Sequence, residues 1–222
     1  MAYFLNIETS GLACSVSIAQ DTDTKSFRLN RDGQYRHAEV VHTFVEECLK
    51  EAGITLKAID AVGVSAGPGS YTGLRVGVSA AKGYAYALNV PLISAPTLKL
   101  MALQALDEQK KNGWSCKGIV PMIDARREEV YLAAYDAMLK ETTPTTAAVL
   151  TENKFSFNEM LICGNGAEKA KKYFGDSNVY FTDCYASALF MPEVIYTKYK
   201  AGIFEDTAYY EPFYLKEFYV KA

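Results

Sequence analysis

One glycine-rich stretch has the residue types and spacing of a phosphate-binding turn. The segment GPGSYTGLR, residues 67–75, joins a β-branched run to a helical pattern. Glycines at such a junction permit a sharp turn, and the first N–H groups of the following helix attract anions. The candidate residues are Gly67, Gly69, Ser70 and Thr72. However, the segment lacks the GxxxxGK[ST] motif and misses GxGxxG by one residue. The pattern therefore favours a tight turn that lets a helix pack closely, with a phosphate site as the alternative.

Histidine and cysteine usage argues against a metal site. The two histidines, His37 and His42, are five residues apart, which is about 140° around a helix, so they cannot share a face as a zinc pair does. The five cysteines are scattered without a CxxC pair, as is typical of reduced thiols. No GxSxG elbow supports a serine nucleophile. We therefore expect no metal, no cofactor and no catalytic residue.

Composition and charge limit the choice of partners and compartment. The chain has 23 basic and 26 acidic residues and a net charge of −3. This is the wrong sign for a domain that binds nucleic acid by itself, because phosphate contacts dominate such binding. The sequence shows neither an apolar run of spanning length nor the basic start of a signal peptide. We expect a cytoplasmic protein without membrane contact.

The order of predicted elements indicates a duplicated α/β unit. Strand patterns over 3–8, 13–19 and 25–29 precede a helix over 38–52, a strand over 60–65 and a helix over 72–88. A shorter version of this order begins at residue 118, and Glu8 and Asp124 end the first strand of each half. A duplicated β-β-β-α-β-α unit is typical of the actin-like (ASKHA) architecture, although any α/β chain has glycine turns between strands and helices.

This pattern predicts two lobes. The first covers residues 1–100 and the second residues 101–222, and we expect the aromatic C-terminal tail to pack back on the first lobe.

Both predicted helices of the first half carry a stripe of small and apolar residues. The stripes consist of Val41, Phe44, Val45 and Cys48 in the first helix and Gly73, Gly77, Ala81 and Tyr84 in the second. Such stripes let another helix approach closely. Periodicity favours a core within the lobe, and a partner protein is the alternative.

Five segments together resemble the TsaB (YeaZ) family. They are NIETSGLACSVSIA (6–19), RHAEVV (36–41), GVSAGPGSYTGLRVGVSAAKGYAYALNVPL (63–92), DARREEVY (124–131) and PFYLK (212–216). They occur in the family's order over nearly the whole chain, and GPGSYTGLRVG and DARREEVY are specific to it. The resemblance implies an actin-like fold and a role in forming threonylcarbamoyladenosine at position 37 of tRNAs that decode ANN codons.

The resemblance also implies partners. In the family, a TsaD-like catalytic paralogue binds metal and transfers the threonylcarbamoyl group, and a TsaE-like ATPase joins the assembly. The tRNA would meet this chain only through that complex. The eight stripe residues then become candidates for the interface with the paralogue, and for a homodimer when the chain is alone. On this interpretation, Gly77→Leu should leave the monomer folded and abolish pairing.

Two positions connect the low histidine count with a non-catalytic role. The catalytic relatives have an HxxxH motif after the strand that corresponds to residues 91–93, and here those positions hold Thr97 and Met101. Neither side chain is a suitable ligand for a hard or borderline divalent metal ion. The resemblance thus implies a scaffold or activator and not an enzyme. We expect Glu8, where the family more often has Asp, and Asp124 to be structural or exposed loop ends.

Adjacent arginines stand in the DARREEVY segment. Arg126 and Arg127 are candidates to contact tRNA phosphate or a partner carboxylate. The simpler expectation is a solvated turn in which Asp124 and Glu129 pair with them.

Two other classes of function remain open from the sequence. A small actin-like ATP-dependent kinase or phosphotransferase is supported by the fold pattern and the glycine turns. A peptidase ranks last, because neither a metal motif nor a nucleophile elbow supports it.

Overall fold

The computed structural model describes residues 1–33, 36–150, 159–173 and 179–216. Its strands are β1 (Tyr3–Glu8), β2 (Cys14–Gln20), β3 (Asp23–Asn30), β4 (Ala61–Ser65), β5 (Leu92–Ala95), β6 (Gly118–Asp124), β7 (Glu129–Asp136), β8 (Glu141–Val149), β9 (Met160–Cys163) and β10 (Val179–Thr182). Its α-helices are α1 (His37–Ala52), α2 (Tyr71–Leu88), α3 (Thr97–Asn112), α4 (Ala167–Lys171) and α5 (Pro192–Lys200). No helix of these ranges is long and apolar enough to cross a membrane.

The chain divides into two compact units. The first contains Met1–Thr97 and Ala186–Phe213, and the second contains Leu98–Tyr185 and residues 214–216 of the C-terminal segment. Within the first unit, the C-terminal segment is anchored by Phe213, whose backbone N–H donates to Ala66 O at 2.7 Å. The end of the predicted second lobe, residues 217–222, lies outside the described residues.

Each unit is built on a five-stranded mixed sheet with the same strand order. The first sheet runs β3-β2-β1-β4-β5, and the second, in the matching direction, runs β8-β7-β6-β9-β10. In both, the first three strands in sequence form an antiparallel meander, and the fourth pairs in parallel with the first. The duplication predicted from the sequence is therefore present in the strand order.

Alternation along β1 assigns the two faces of the first sheet. Leu5 and Ile7 join the core cluster that includes buried residues of α1 and α2. Phe4 points to the other face, where its ring meets the edges of Tyr196 and Tyr199 of α5. Successive side chains of a strand alternate between its faces, so the sheet is covered by α1 and α2 on one side and by α5 on the other.

Strands β8 and β10 of the second sheet were not predicted from the sequence. Strand β8 contains four threonines and Pro144 and lies at the edge of its sheet. Proline is tolerated at a sheet edge because no partner strand needs its missing N–H. The polar, partly exposed sequence of β8 therefore gave no clear alternating pattern, although threonine is a good strand former.

The glycines of α2 pack against the turn that follows β1. A Cβ atom at Gly77 would collide with Thr9 Oγ1, and one at Gly73 would collide with Thr9 O. The Thr9 hydroxyl also donates a hydrogen bond to Gly73 O at 2.8 Å. The expectation that Gly77→Leu leaves the monomer folded is therefore wrong, because a leucine would have to displace this turn.

Two glycines of the same helix should respond oppositely to alanine. Gly77→Ala should lower the free energy of unfolding by about 1–3 kcal/mol, because the new methyl group overpacks the contact with Thr9. A Cβ atom at Gly83 would meet no described residue beyond its own helix within 4 Å, so Gly83→Ala should raise the free energy of unfolding by about 0.5–1 kcal/mol through helix propensity. Urea denaturation measures both values, and a change of the same sign in both variants would contradict the packing.

Candidate functional site

The glycine loop is bound to its surroundings through its own backbone. Gly67 N donates to Thr97 Oγ1 at 3.1 Å, and Thr97 N donates to Gly67 O at 3.0 Å. Ser70 N donates to Ser10 O at 2.6 Å. Gly67 has a φ of +103°, and a Cβ atom there would lie 2.6 Å from Phe213 O. The N–H groups of Gly67 and Ser70 are thus occupied by protein acceptors, as a close-packing turn requires.

The remaining loop candidates have local roles or face solvent. A Cβ atom at Gly69 would meet Ser10 Cβ at 3.0 Å, so only glycine fits beside that turn without a shift. The Ser70 hydroxyl caps α2 by accepting from Gly73 N at 3.2 Å. Thr72 is exposed on the first turn of the helix.

Glu8 is a fully buried acid at the end of β1. Its Oε1 accepts hydrogen bonds from Ser10 N at 2.7 Å and from the Ser10 hydroxyl. Within the described residues, its Oε2 and Ser65 Oγ have no hydrogen-bond partner. Burial raises the pKa of Glu8 to about 7, and the bonds from Ser10 together with the neighbouring Ser65 hydroxyl offset only part of this rise. Glu8 therefore carries a proton for much of the time at neutral pH and is not an exposed loop end.

Asp124, the corresponding acid of the second unit, is in a different environment. It is exposed, and its Oδ1 accepts from Lys169 Nζ at 2.7 Å and from Arg126 N at 2.6 Å. Partial burial favours a higher pKa for Asp124, but the hydrogen bond and charge of Lys169, the backbone bond from Arg126 and the charge of Arg126 outweigh it and lower the pKa. The two acids thus occupy corresponding positions in the repeat, but the pKa of Glu8 is raised and that of Asp124 is lowered.

The two positions that replace the histidines of the catalytic relatives are occupied by packing residues. Thr97 is buried and forms the bonds to Gly67 described above. Met101 is buried too, and a Cβ atom at Gly164 would collide with its methyl group.

The chain's own histidines are engaged elsewhere. The ring of His37 is hydrogen-bonded to Gly11 O and that of His42 to the Tyr84 hydroxyl, both at 2.8 Å. Across the described part of the chain, no three His, Cys, Asp or Glu side chains converge as metal ligands would.

Most of the eight predicted interface residues lie inside the first unit. Six are buried within it, namely Val41, Val45, Cys48, Gly73, Gly77 and Ala81. Phe44 and Tyr84 are half-buried and pack against the same core. The six buried residues form the intramolecular core that periodicity favoured, so, apart from Val41 at the base of a groove between the two helices, a partner would meet other residues of α1 and α2. That this helix pair meets a partner stays a prediction.

An open groove with a volume of ≈ 680 Å³ runs along α1 and α2. The residues that line it are Ala38, Val41, His42, Leu56, Arg75, Val76, Ser79, Ala80, Gly83, Tyr84 and Ala87. Ser79, Gly83 and Ala87 are exposed and repeat every four residues along α2. This second stripe was not predicted from the sequence, although its four-residue spacing is visible there. The predicted interface was the neighbouring stripe that contains Gly73 and Gly77.

Similarity to known proteins gives this surface a family context. A family model described as "TsaD: tRNA N6-adenosine threonylcarbamoyltransferase" matches residues 31–205, which is more than half of the chain. The chain belongs to this family. The resemblance to TsaB (YeaZ) is confirmed by curated relatives named "tRNA threonylcarbamoyladenosine biosynthesis protein TsaB". The protein from Escherichia coli is 36% identical over 132 residues, and the one from Haemophilus influenzae is 33% identical over 129 residues.

The extent of these matches differs between sequence and structure. The aligned regions cover 59% and 58% of this chain but 54% and 52% of the two relatives, so the chain spans about half the length of the curated relatives it matches. The solved structure "YeaZ from Pseudomonas aeruginosa" superposes with a TM-score of 0.83 at 22% identity, covering 97% of this chain and 100% of that one. Together with the repeated strand order, this confirms the predicted actin-like α/β fold.

Replacing Glu8 should change how stability depends on pH. The folded state binds the Glu8 proton more tightly than the unfolded state, so its stabilising effect is complete below pH 4.5 and is lost as the pH rises through about 7. A shift of this size corresponds to about 3 kcal/mol. Between pH 4.5 and 8, the free energy of unfolding of Glu8→Gln should therefore rise relative to the wild type by up to about this amount.

Denaturant titrations at several pH values measure this difference. Glu46→Gln, which removes an exposed carboxyl of α1, is the matched control. If the difference between Glu8→Gln and the wild type were independent of pH, Glu8 would not be the buried, proton-binding acid described here.

Proposed function

We propose that this chain is a non-catalytic subunit in the formation of N6-threonylcarbamoyladenosine at position 37 of tRNAs that decode ANN codons. It acts as a scaffold and activator by docking a TsaD-like catalytic paralogue. A TsaE-like ATPase joins the same assembly, and tRNA meets this chain within it. The observation that carries the proposal is the open groove along α1 and α2, in a chain that belongs to a threonylcarbamoyltransferase family.

The chemistry of the groove suits a helix that approaches closely. The side chains of Ser79, Gly83 and Ala87 are small and project little from α2, so the backbone of a partner helix can approach closely. Val76 and Tyr84 supply apolar area whose removal from water favours association. The partner surface that fits this groove is therefore a helix with small and apolar residues.

Among the residues that line the groove, only Arg75 carries a permanent charge. The Arg75 guanidinium lies 3.9 Å from the centroid of the Tyr71 ring and donates to the Tyr71 hydroxyl. It is thus held along α2 and leaves the centre of the groove free of a fixed charge. A second copy of this chain can use the same surface across a two-fold axis, which is the homodimer proposed for the chain alone.

The buried environments of Thr97 and Met101 support the non-catalytic part of the proposal. Both side chains are used for packing or loop bonds at the positions where the catalytic relatives have histidines. The kinase alternative would use free N–H groups of the glycine loop, and those of Gly67 and Ser70 are already bonded within the chain.

A single charge placed in the groove should prevent docking. Gly83→Arg adds a long cation at an open, exposed position of the helix, so the chain should fold. Docking would then bury an unpaired guanidinium, and association with the purified TsaD-like paralogue should weaken at least about tenfold. The matched control is Tyr86→Arg, which puts the same charge on the same helix at a residue that is 84% exposed and does not line the groove.

Titration calorimetry of each variant with the paralogue measures the affinity, and analytical ultracentrifugation of the chain alone measures the homodimer. Equal affinity of Gly83→Arg and Tyr86→Arg for the paralogue would exclude the groove as the docking surface.

A further inference from the structure

The connection between β6 and β7 holds two adjacent arginines in an unfavourable backbone conformation. Arg126 has a φ of 66° and Arg127 a φ of 51°, which is the left-handed region. The turn is closed by bonds from Ala125 N to Glu129 O at 3.1 Å and from Glu129 N to Arg126 O at 3.2 Å. Residues with a Cβ atom are disfavoured in this region, which glycine and asparagine accept. Two long side chains are thus presented at a turn where folding alone would favour smaller residues.

The carboxylates of this turn are paired with lysines and not with the arginines. Lys169 Nζ lies 2.7 Å from Asp124 Oδ1, and Lys172 Nζ lies 3.2 Å from Glu128 Oε2. Glu129 forms an ion pair with Lys216. Neither carboxylate forms an ion pair with an arginine of the turn, although the charge of Arg126 contributes to lowering the pKa of Asp124.

Both arginine side chains remain available. Arg126 and Arg127 are exposed, and neither guanidinium forms an ion pair or hydrogen bond with any described residue. Because the three lysines of the cluster are balanced by its three carboxylates, the local excess of positive charge resides on the two arginines. The chain as a whole carries a net charge of −3, so this excess is a local feature.

The geometry points to Arg126 and Arg127 as a contact for the phosphate backbone of RNA on the second unit. A guanidinium binds a phosphate through two parallel hydrogen bonds, which suits exposed arginines without a protein partner. Such contacts fix the position of a nucleic acid without reading its sequence. The identity of the RNA as a tRNA rests on the proposed function, but the chemistry of the contact does not.

A double variant separates RNA binding from folding. Arg126→Asn with Arg127→Gly places residues that accept a positive φ at both positions, so the free energy of unfolding should not fall. Binding of a fluorescently labelled, unmodified tRNA to the full chain assembled with the TsaD-like paralogue is followed by anisotropy at several salt concentrations. We expect at least tenfold weaker binding at low salt, and a slope of log K against log [salt] that is smaller by about 2.

The matched control is Lys110→Gln with Lys111→Gln at the exposed end of α3. It removes two positive charges elsewhere and should leave tRNA affinity within about twofold of the wild type, since these lysines lie outside the proposed contact. Arg126→Lys with Arg127→Lys keeps the charge without the guanidinium and should give an intermediate affinity.

Two results would overturn the inference. One is a wild-type complex that binds the labelled tRNA no better than the complex of the arginine double variant, and the other is an equal loss in the lysine control. The affinity of the double variant for the TsaD-like paralogue reports separately on the proposed function. If that affinity falls while tRNA binding stays unchanged, the arginines contact a protein, and this inference is wrong while docking stands.

Discussion

The first unit depends on one close contact, in which the turn after β1 packs against the glycines of α2. Thr9 fits against Gly73 and Gly77 only because neither residue has a Cβ atom, and the turn is bonded to the glycine loop through Ser10 and Ser70. This contact directs the glycine side of α2 inward. The neighbouring stripe of small residues is consequently left on the surface beside α1, where it lines the groove.

The two halves of the molecule share a strand order but differ in the chemistry at corresponding positions. In the first unit, the strand-end acid Glu8 is buried and its pKa is raised to about 7 by that burial. In the second unit, Asp124 is exposed and ion-paired with Lys169. Duplication thus preserved the backbone, while the two turns acquired different roles: close packing in one unit and two exposed arginines in the other.

The fold was largely predictable from the sequence because its core strands and helices have clear periodicity, as in β1 and α1. The proposed partner surface could not be predicted from the sequence, because spacing alone cannot distinguish a glycine that packs inward, such as Gly77, from one that faces solvent, such as Gly83. Nor could spacing show that Asp124 pairs with Lys169, which lies 45 residues away along the chain. Burial and ion pairing at these sites depend on contacts between segments that are distant in sequence.

We propose that this chain activates a catalytic paralogue without carrying out the reaction. The most direct test is the rate at which the purified TsaD-like paralogue and the TsaE-like ATPase, supplied with threonylcarbamoyl-AMP, form threonylcarbamoyladenosine on unmodified tRNA, with and without this chain. We expect a rate near background without the chain and a rate that rises with the concentration of the chain until the paralogue is saturated. Equal rates in the presence and absence of this chain would contradict its role as an activator.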